Sequence, residues 1–254
     1  GPDIFCDFIL DFIGRKEDRP FFIYYPMVLV HDPFVPTPDS EEWSDKDLRS
    51  KGNPRYFVDM MGYADKIVGR ILDKLDEEKI RKNTIVVFTA DNGTSRRVVT
   101  KTKDGDIPGG KGLTMDTGIH VPLIISWPAK MRRGKVYDGL IGFCDFFPTL
   151  AEISRTEVPE NDGQSFYPLI VGKPYERKEW ILIHYDPIWS EFLNRQRNRF
   201  VKSEDYKLYL DGRFYYLPDD PFEENALPDD LFSEEGKEIR KNLQQILDKA
   251  PEWR

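Results

Sequence analysis

Four side chains have the chemistry to hold a charged ester: His31, Asp91, Asn92 and Lys111. Asp91 and Asn92 place a carboxylate beside a carboxamide, two hard oxygen donors that suit Ca²⁺, with Mg²⁺ the second choice, far better than a soft metal. Asp91-Asn92-Gly93 is also an ordinary turn sequence, and only its position separates the two readings. Lys111 stands in Gly109-Gly110-Lys111-Gly112, where close backbone approach and a full charge can receive an anion; the competing reading is a plain surface loop. The stretch from Gly105 nearly spells a phosphate-binding loop but has Gly112 where a Ser or Thr is required. Of the chain's three histidines, His31, His120 and His184, none has metal-ligand spacing, and His31, followed by Asp32-Pro33, is the best placed to donate a proton or bind an anion. Asn92-Gly93-Thr94 matches the glycosylation sequon, but an asparagine that ligates a metal cannot carry a glycan.

These groups follow or adjoin apolar runs. Phe21 to Tyr25 reads as a buried strand leading to His31, and Ile85 to Phe88 as a second leading to Asp91-Asn92-Gly93. Val121 to Trp127 reads as a third, after the loop that carries Lys111. Helices are predicted over Ile4 to Ile13, ended by Gly14, and over Met60 to Leu75, where Met60, Ala64, Ile67, Ile71 and Leu75 share one stripe. Strand, helix, strand, with apolar runs that do not alternate, predicts a parallel sheet covered on both faces, with ligands bound beyond the carboxyl ends of its strands. Asp145 to Ile153 adds a short helix. After Gly172 to Pro174 the pattern changes to short strands around Trp180–Ile183, Arg199–Val201, Lys207–Tyr209 and Arg213–Tyr216, with Asp211-Gly212 as a hairpin turn and a closing helix over Glu234 to Lys249. The expected fold is α/β: a mostly parallel sheet flanked by helices over residues 1–174, then a small antiparallel sheet plus helix over 175–254. Trp189, near His184-Tyr185-Asp186, can stack on a sugar ring, although packing is the simpler role for an aromatic there.

The bulk composition excludes several classes. At 254 residues, 39% hydrophobic and 13% aromatic, the chain can bury a core and is not a solvated tail. Its net charge of -8 leaves no basic footprint for nucleic acid. No apolar stretch is long enough for a spanning helix, so a soluble chain is expected. The two cysteines, Cys6 and Cys144, form no framework, and both are expected to be buried apolar thiols.

Taken in order, several segments resemble the sulfatases of the alkaline-phosphatase-like superfamily. They are Pro20-Phe21-Phe22-Ile23-Tyr24-Tyr25 leading to His31, Tyr63-Ala64-Asp65, Thr84 through Gly93, Gly109-Gly110-Lys111-Gly112, Gly118-Ile119-His120-Val121-Pro122-Leu123-Ile124, Asp145-Phe146-Phe147-Pro148-Thr149-Leu150, Asp162 through Phe166, and Tyr206-Lys207-Leu208. The resemblance implies hydrolysis of a sulfate ester, with Asp91 and Asn92 as one pair of Ca²⁺ ligands and with Lys111 and His31 contacting the sulfate and steadying the leaving oxygen. It implies a sulfated small molecule or glycan as substrate and an extracytoplasmic location.

Two departures stand out. The family's nucleophile is a formylglycine made from cysteine within Cys-x-(Pro/Ala/Ser)-x-Arg, and neither Cys6 nor Cys144 stands in that motif; the family's paired amino-terminal aspartates are also missing. The chain is therefore expected to begin inside the catalytic domain, to be inactive alone, and to need a segment absent here, with a separate amino-terminal fragment of the same protein as the candidate partner. His120 replaces the arginine that often precedes Val-Pro in the family. Two rival expectations remain: a phosphate or phosphonate ester hydrolase of the same superfamily, and a non-catalytic protein that binds anions or sulfated glycans.

Overall fold

A computed structural model describes residues 1–15, 19–186, 197–228 and 232–251. Trp189 lies outside the described residues. The chain forms two compact units, one of residues 1–113 and 117–129, the other of residues 114–116 and 130–254.

In the first unit, helix α1 (Pro2–Gly14) opens on a proline, whose fixed φ suits the first turn, and buries Cys6, Ile9 and Ile13. It packs on α2 (Phe57–Glu77), which buries Met60, Tyr63, Ala64, Ile67 and Leu75. The stripe predicted for α2 is therefore its inner face. Cys6 clusters with Tyr63 and Ile67, while Ile9 and Ile13 cluster with Leu75. Polar bonds fasten the rim of this helix pair: the Tyr63 hydroxyl donates to Asp3 at 2.8 Å, and Arg70 pairs with Asp7 at 2.5 Å.

The segment Phe21–Tyr25 departs from its expected state as a buried strand. Phe21, Ile23 and Tyr25 pack onto the helix pair, but Phe22 and Tyr24 are 71% and 79% exposed. The chain is extended, yet it belongs to no ladder among the described residues. An alternating pattern is what a strand shows when only one of its faces is covered.

Strand β1 (Val86–Thr89) pairs with β4 (Leu123–Ser126), Val86 opposite Ser126 and Thr89 opposite Leu123. The pairing is antiparallel, and the expected parallel sheet is not present among the described residues. The connection explains this. A parallel return needs a crossover, usually a helix, whereas here the chain makes an exposed hairpin, β2 (Val99–Thr102) with β3 (Gly105–Pro108), and a four-residue helix, α3 (Asp116–Ile119).

In the second unit, a 3₁₀ turn over Phe143–Asp145 leads into α4 (Phe146–Ser154). Asp145 is fully buried, accepting from the Gly142 and Gln164 backbone amides at 2.8 and 2.7 Å and pairing with Lys178 at 2.5 Å. Its neighbour Cys144 is exposed, so only Cys6 fulfils the expectation of a buried thiol; turning Asp145 inward leaves Cys144 on the outer side of the turn. After the short helix α5 (Tyr167–Ile170) come four antiparallel strands in sequence order, β5 (Ile181–Tyr185), β6 (Asn198–Lys202), β7 (Tyr206–Tyr209) and β8 (Phe214–Tyr216). Gly212, at φ +92°, supplies the left-handed residue of the turn before β8. Helix α6 (Glu234–Lys249), capped by Ser233 Oγ at the Gly236 amide, lays Leu243 and Leu247 on Val201, Leu208 and Phe214.

Candidate functional site

Asp91, Asn92, Lys111 and His31 all lie in the first unit, on loops that follow β1, β3 and the extended segment. Glycines bring two of those loops together. The Gly93 amide donates to Gly118 O, and the Lys111 amide donates to Thr94 O, both at 2.9 Å. A Cβ added at Gly93 would lie 1.9 Å from Thr117 O, one at Gly109 2.1 Å from Ser95 O, and one at Gly110 2.2 Å from Thr117 Oγ1. The backbones of the Asp91-Asn92 loop, the Lys111 loop and α3 therefore touch with no room for side chains between them. Gly112, at φ +82°, lets the chain turn directly after Lys111.

Asn92 donates from Nδ2 to Asp91 Oδ1, so the two expected ligands face one another. Asp91 is exposed, and among the described residues no basic side chain pairs with it. An uncompensated carboxylate beside a carboxamide fits a hard cation such as Ca²⁺ or Mg²⁺. The set is small: among the described residues no group of three or more His, Cys, Asp or Glu could hold a metal ion. Lys111 is half-buried and likewise has no carboxylate partner among the described residues.

His31 is held by its own turn. Its amide donates to Val28 O at 2.7 Å, and Nδ1 lies 2.6 Å from Asp32 O. A carbonyl oxygen only accepts, so Nδ1 carries the hydrogen and Nε2 is turned away from that bond. Arg97, on the loop after Asn92, clamps both carboxylate oxygens of Asp32 at 2.9 Å. That pair ties the His31 turn to the loop that begins at Asp91. No periodicity or motif points to Arg97; the repeated glycines at 93, 109, 110 and 118 were a readable signal of close backbone approach. His184 and Lys207 belong to the second unit. Burial, then the Arg199 charge, lowers the His184 pKa, and Nδ1 accepts from Arg199 Nε at 3.1 Å.

Residues 2–154 match the family model for sulfatases, and residues 110–252 match a second model, the C-terminal region of N-sulphoglucosamine sulphohydrolase. The chain belongs to the sulfatase family. It is similar to human steryl-sulfatase, 30% identical over 183 residues that make up 68% of this chain and 30% of that protein. It is also similar to an N-acetylgalactosamine-6-O-sulfatase of Bacteroides thetaiotaomicron, 31% identical over 71% of this chain and 36% of that protein. A protein solved in complex with its substrate, D-glucosamine-2-N,6-O-disulfate, superposes with a TM-score of 0.61 at 24% identity, over 77% of this chain and 39% of the other. That likeness concerns the fold. The chain thus spans about a third of the length of these curated relatives.

Proposed function

We propose that this chain forms one side of a centre that hydrolyses sulfate esters. Asp91 and Asn92 would hold a Ca²⁺, which when bound supplies positive charge against the sulfate oxygens. Lys111 adds a second charge on the same side, its backbone fixed to the loop of those ligands, and His31, protonated on both ring nitrogens, would give its Nε2 proton to the leaving ester oxygen while Nδ1–H stays on Asp32 O. A formylglycine nucleophile and the remaining metal ligands would come from polypeptide beyond this chain, since two oxygen ligands fall short of the six to eight that Ca²⁺ takes. Within that scheme residues 1–174 form part of the catalytic α/β domain, whose central sheet is parallel when complete, and 175–254 the C-terminal subdomain. The relatives' names favour a sulfated sugar or sterol as substrate.

The observation that supports this reading is the 2.9 Å bond from the Lys111 amide to Thr94 O, which joins the Lys111 loop to the loop that begins at Asp91-Asn92. Calorimetric titration of the chain with CaCl₂, and then with D-glucosamine-2-N,6-O-disulfate, tests it. D91A should abolish the Ca²⁺ heat and K111A should weaken the sulfated sugar while leaving Ca²⁺ binding intact. Unchanged binding in both variants would refute the assignment, and sulfatase turnover by the chain alone would refute the proposal that the nucleophile lies elsewhere.

A further inference from the structure

The sequence that links the Asp91-Asn92 loop to the Lys111 loop is basic in a chain that is acidic overall. Residues 96–111 carry Arg96, Arg97, Lys101, Lys103 and Lys111 against Asp104 and Asp106, while the whole chain has a net charge of -8. Two of these cations are matched: Arg97 holds Asp32, and Lys103 lies 4.0 Å from Asp104. Lys101 stands opposite Asp106 in the β2–β3 register, yet no ion pair joins them among the described residues. Arg96, Lys101 and Lys111 are thus left without a carboxylate partner among the described residues.

The backbone fixes where the unmatched cations stand. The Val98 amide donates to Ser95 O at 2.9 Å, closing a tight turn with Arg96 and Arg97 at its centre. That turn begins one residue past Thr94, whose carbonyl takes the Lys111 amide, so Arg96 stands two residues from the bond that joins the two loops. The Gly109 amide, donating to Val98 O at 2.9 Å, then starts the hairpin. Lys101 lies three residues farther out, about 10 Å along the strand. Every residue of β2 and β3 is exposed.

The composition of this stretch narrows what the cations can meet. Between Gly93 and Leu113 there is no Phe, Tyr or Trp, so nothing can stack on a nucleic-acid base or anchor in a membrane interface. Val99 and Ile107 fall on opposite faces of the hairpin, which leaves a sterol no apolar stripe to lie on. A hydrophilic polyanion fits. Arg96 offers a guanidinium fork that matches a sulfate or a carboxylate with two parallel hydrogen bonds, and Lys101 adds a point charge.

We propose that Arg96, with Lys101 beyond it, receives a second anionic group of the substrate, a sulfate or carboxylate on a sugar unit other than the one whose ester is cleaved. The substrate is then an oligosaccharide with several anionic groups, and a steroid with a single sulfate lacks the group these residues read. The inference rests on the reading above for the place of the ester at Lys111, and it adds the chemistry of the neighbouring unit. Arg96 selects which ester is held and takes no part in its cleavage.

Calorimetric titration of the 254-residue chain with D-glucosamine-2-N,6-O-disulfate and with a heparin tetrasaccharide tests it. The natural chain should bind the tetrasaccharide at least about fivefold more tightly, and that advantage should shrink as NaCl rises from about 50 to about 300 mM. R96Q/K101Q should lose the advantage while its affinity for the monosaccharide and its circular dichroism stay unchanged, and R96K should recover part of it by restoring the charge. Reducing the tetrasaccharide's carboxylates to alcohols separates the two anions: an advantage that survives identifies sulfate, and one that is lost identifies carboxylate. The proposal is overturned if R96Q/K101Q keeps the advantage or weakens both probes alike. It is also overturned if estrone sulfate, poly(U) RNA or phosphatidylserine vesicles bind the natural chain as tightly as the tetrasaccharide does. Failure of the reading above looks different: K111A would leave the monosaccharide untouched while R96Q/K101Q still removed the advantage. A natural chain that binds neither saccharide overturns both.

Discussion

Replacing Lys207 by methionine should destabilise the second unit strongly, by an amount that depends on pH. Lys207 lies in mid-strand in β7 with no exposed side-chain surface, its ammonium 2.6 Å from Glu223, which is itself only 5% exposed. It also donates to Thr114 O and sits 4.0 Å from the centre of the Phe200 ring. Methionine fills much of the volume but leaves the Glu223 carboxylate buried, with the Tyr209 hydroxyl as its remaining partner. Breaking such a pair costs about 3–5 kcal/mol at pH 7, or roughly 10 °C in Tm. Burial pushes Lys207 down to about 8, against the opposing pull of Glu223. The folded ammonium therefore loses its proton before the unfolded one does, the unfolded chain holds more protons above pH 8, and the natural chain gains stability as pH rises. Between pH 8 and 9.5 that gain is about 1.5 kcal/mol, and the variant lacks it. Thiol and tyrosine titrations common to both chains cancel in the difference. Urea unfolding followed by near-ultraviolet circular dichroism at pH 7, 8 and 9.5 measures the gap. A gap below about 1 kcal/mol at pH 7, or one that does not widen from pH 8 to 9.5, would refute the reasoning.

Alanine at Gly93 must push into Thr117 O, 1.9 Å from the new Cβ, and should cost at least about 1–3 kcal/mol in chemical denaturation. Alanine at Gly62, on α2 with nothing within 4 Å, should instead stabilise by about 0.5–1 kcal/mol in the same assay. Removing the α6 cap with S233A should cost about 1 kcal/mol, seen as a lower urea midpoint with an unchanged slope. His184 should titrate below 6.5 by proton NMR, because burial and Arg199 disfavour its charged form. With the folded pKa lowered, its contribution to stability is present above the unfolded pKa and fades as pH falls through 6.5 toward the folded value; R199Q should raise the midpoint.

The parts of the fold legible in the sequence were those with local causes. The α2 stripe, the Asp211-Gly212 turn and the α6 boundaries follow from periodicity, turn chemistry and capping, each decided within a few residues. Strand partnership was not legible: Phe21–Tyr25 and Ile85–Phe88 are equally apolar, yet among the described residues the first joins no ladder and the second pairs antiparallel, because pairing depends on distant chain. The exposed β2–β3 hairpin was missed because Val99 to Pro108 alternates too weakly to separate from loop. At the candidate site the residue types were legible, and so were the glycines beside them. The Arg97–Asp32 clamp was not, since those two residues are 65 positions apart and neither carries a motif.

The contacts of Gly93 and Gly110 with Thr117, and of Gly109 with Ser95, have a consequence for how this chain can diverge. Where two loops are spaced by side chains, substitution of those side chains resets the spacing. Here the backbones themselves set it, so the separation of Asn92 from Lys111 is insulated from change at neighbouring positions. The exposed hairpin and the His31 turn can then drift while the separation of these two loops stays fixed. A laboratory selection for folded variants should therefore accumulate substitutions around these glycines and leave the glycines themselves untouched.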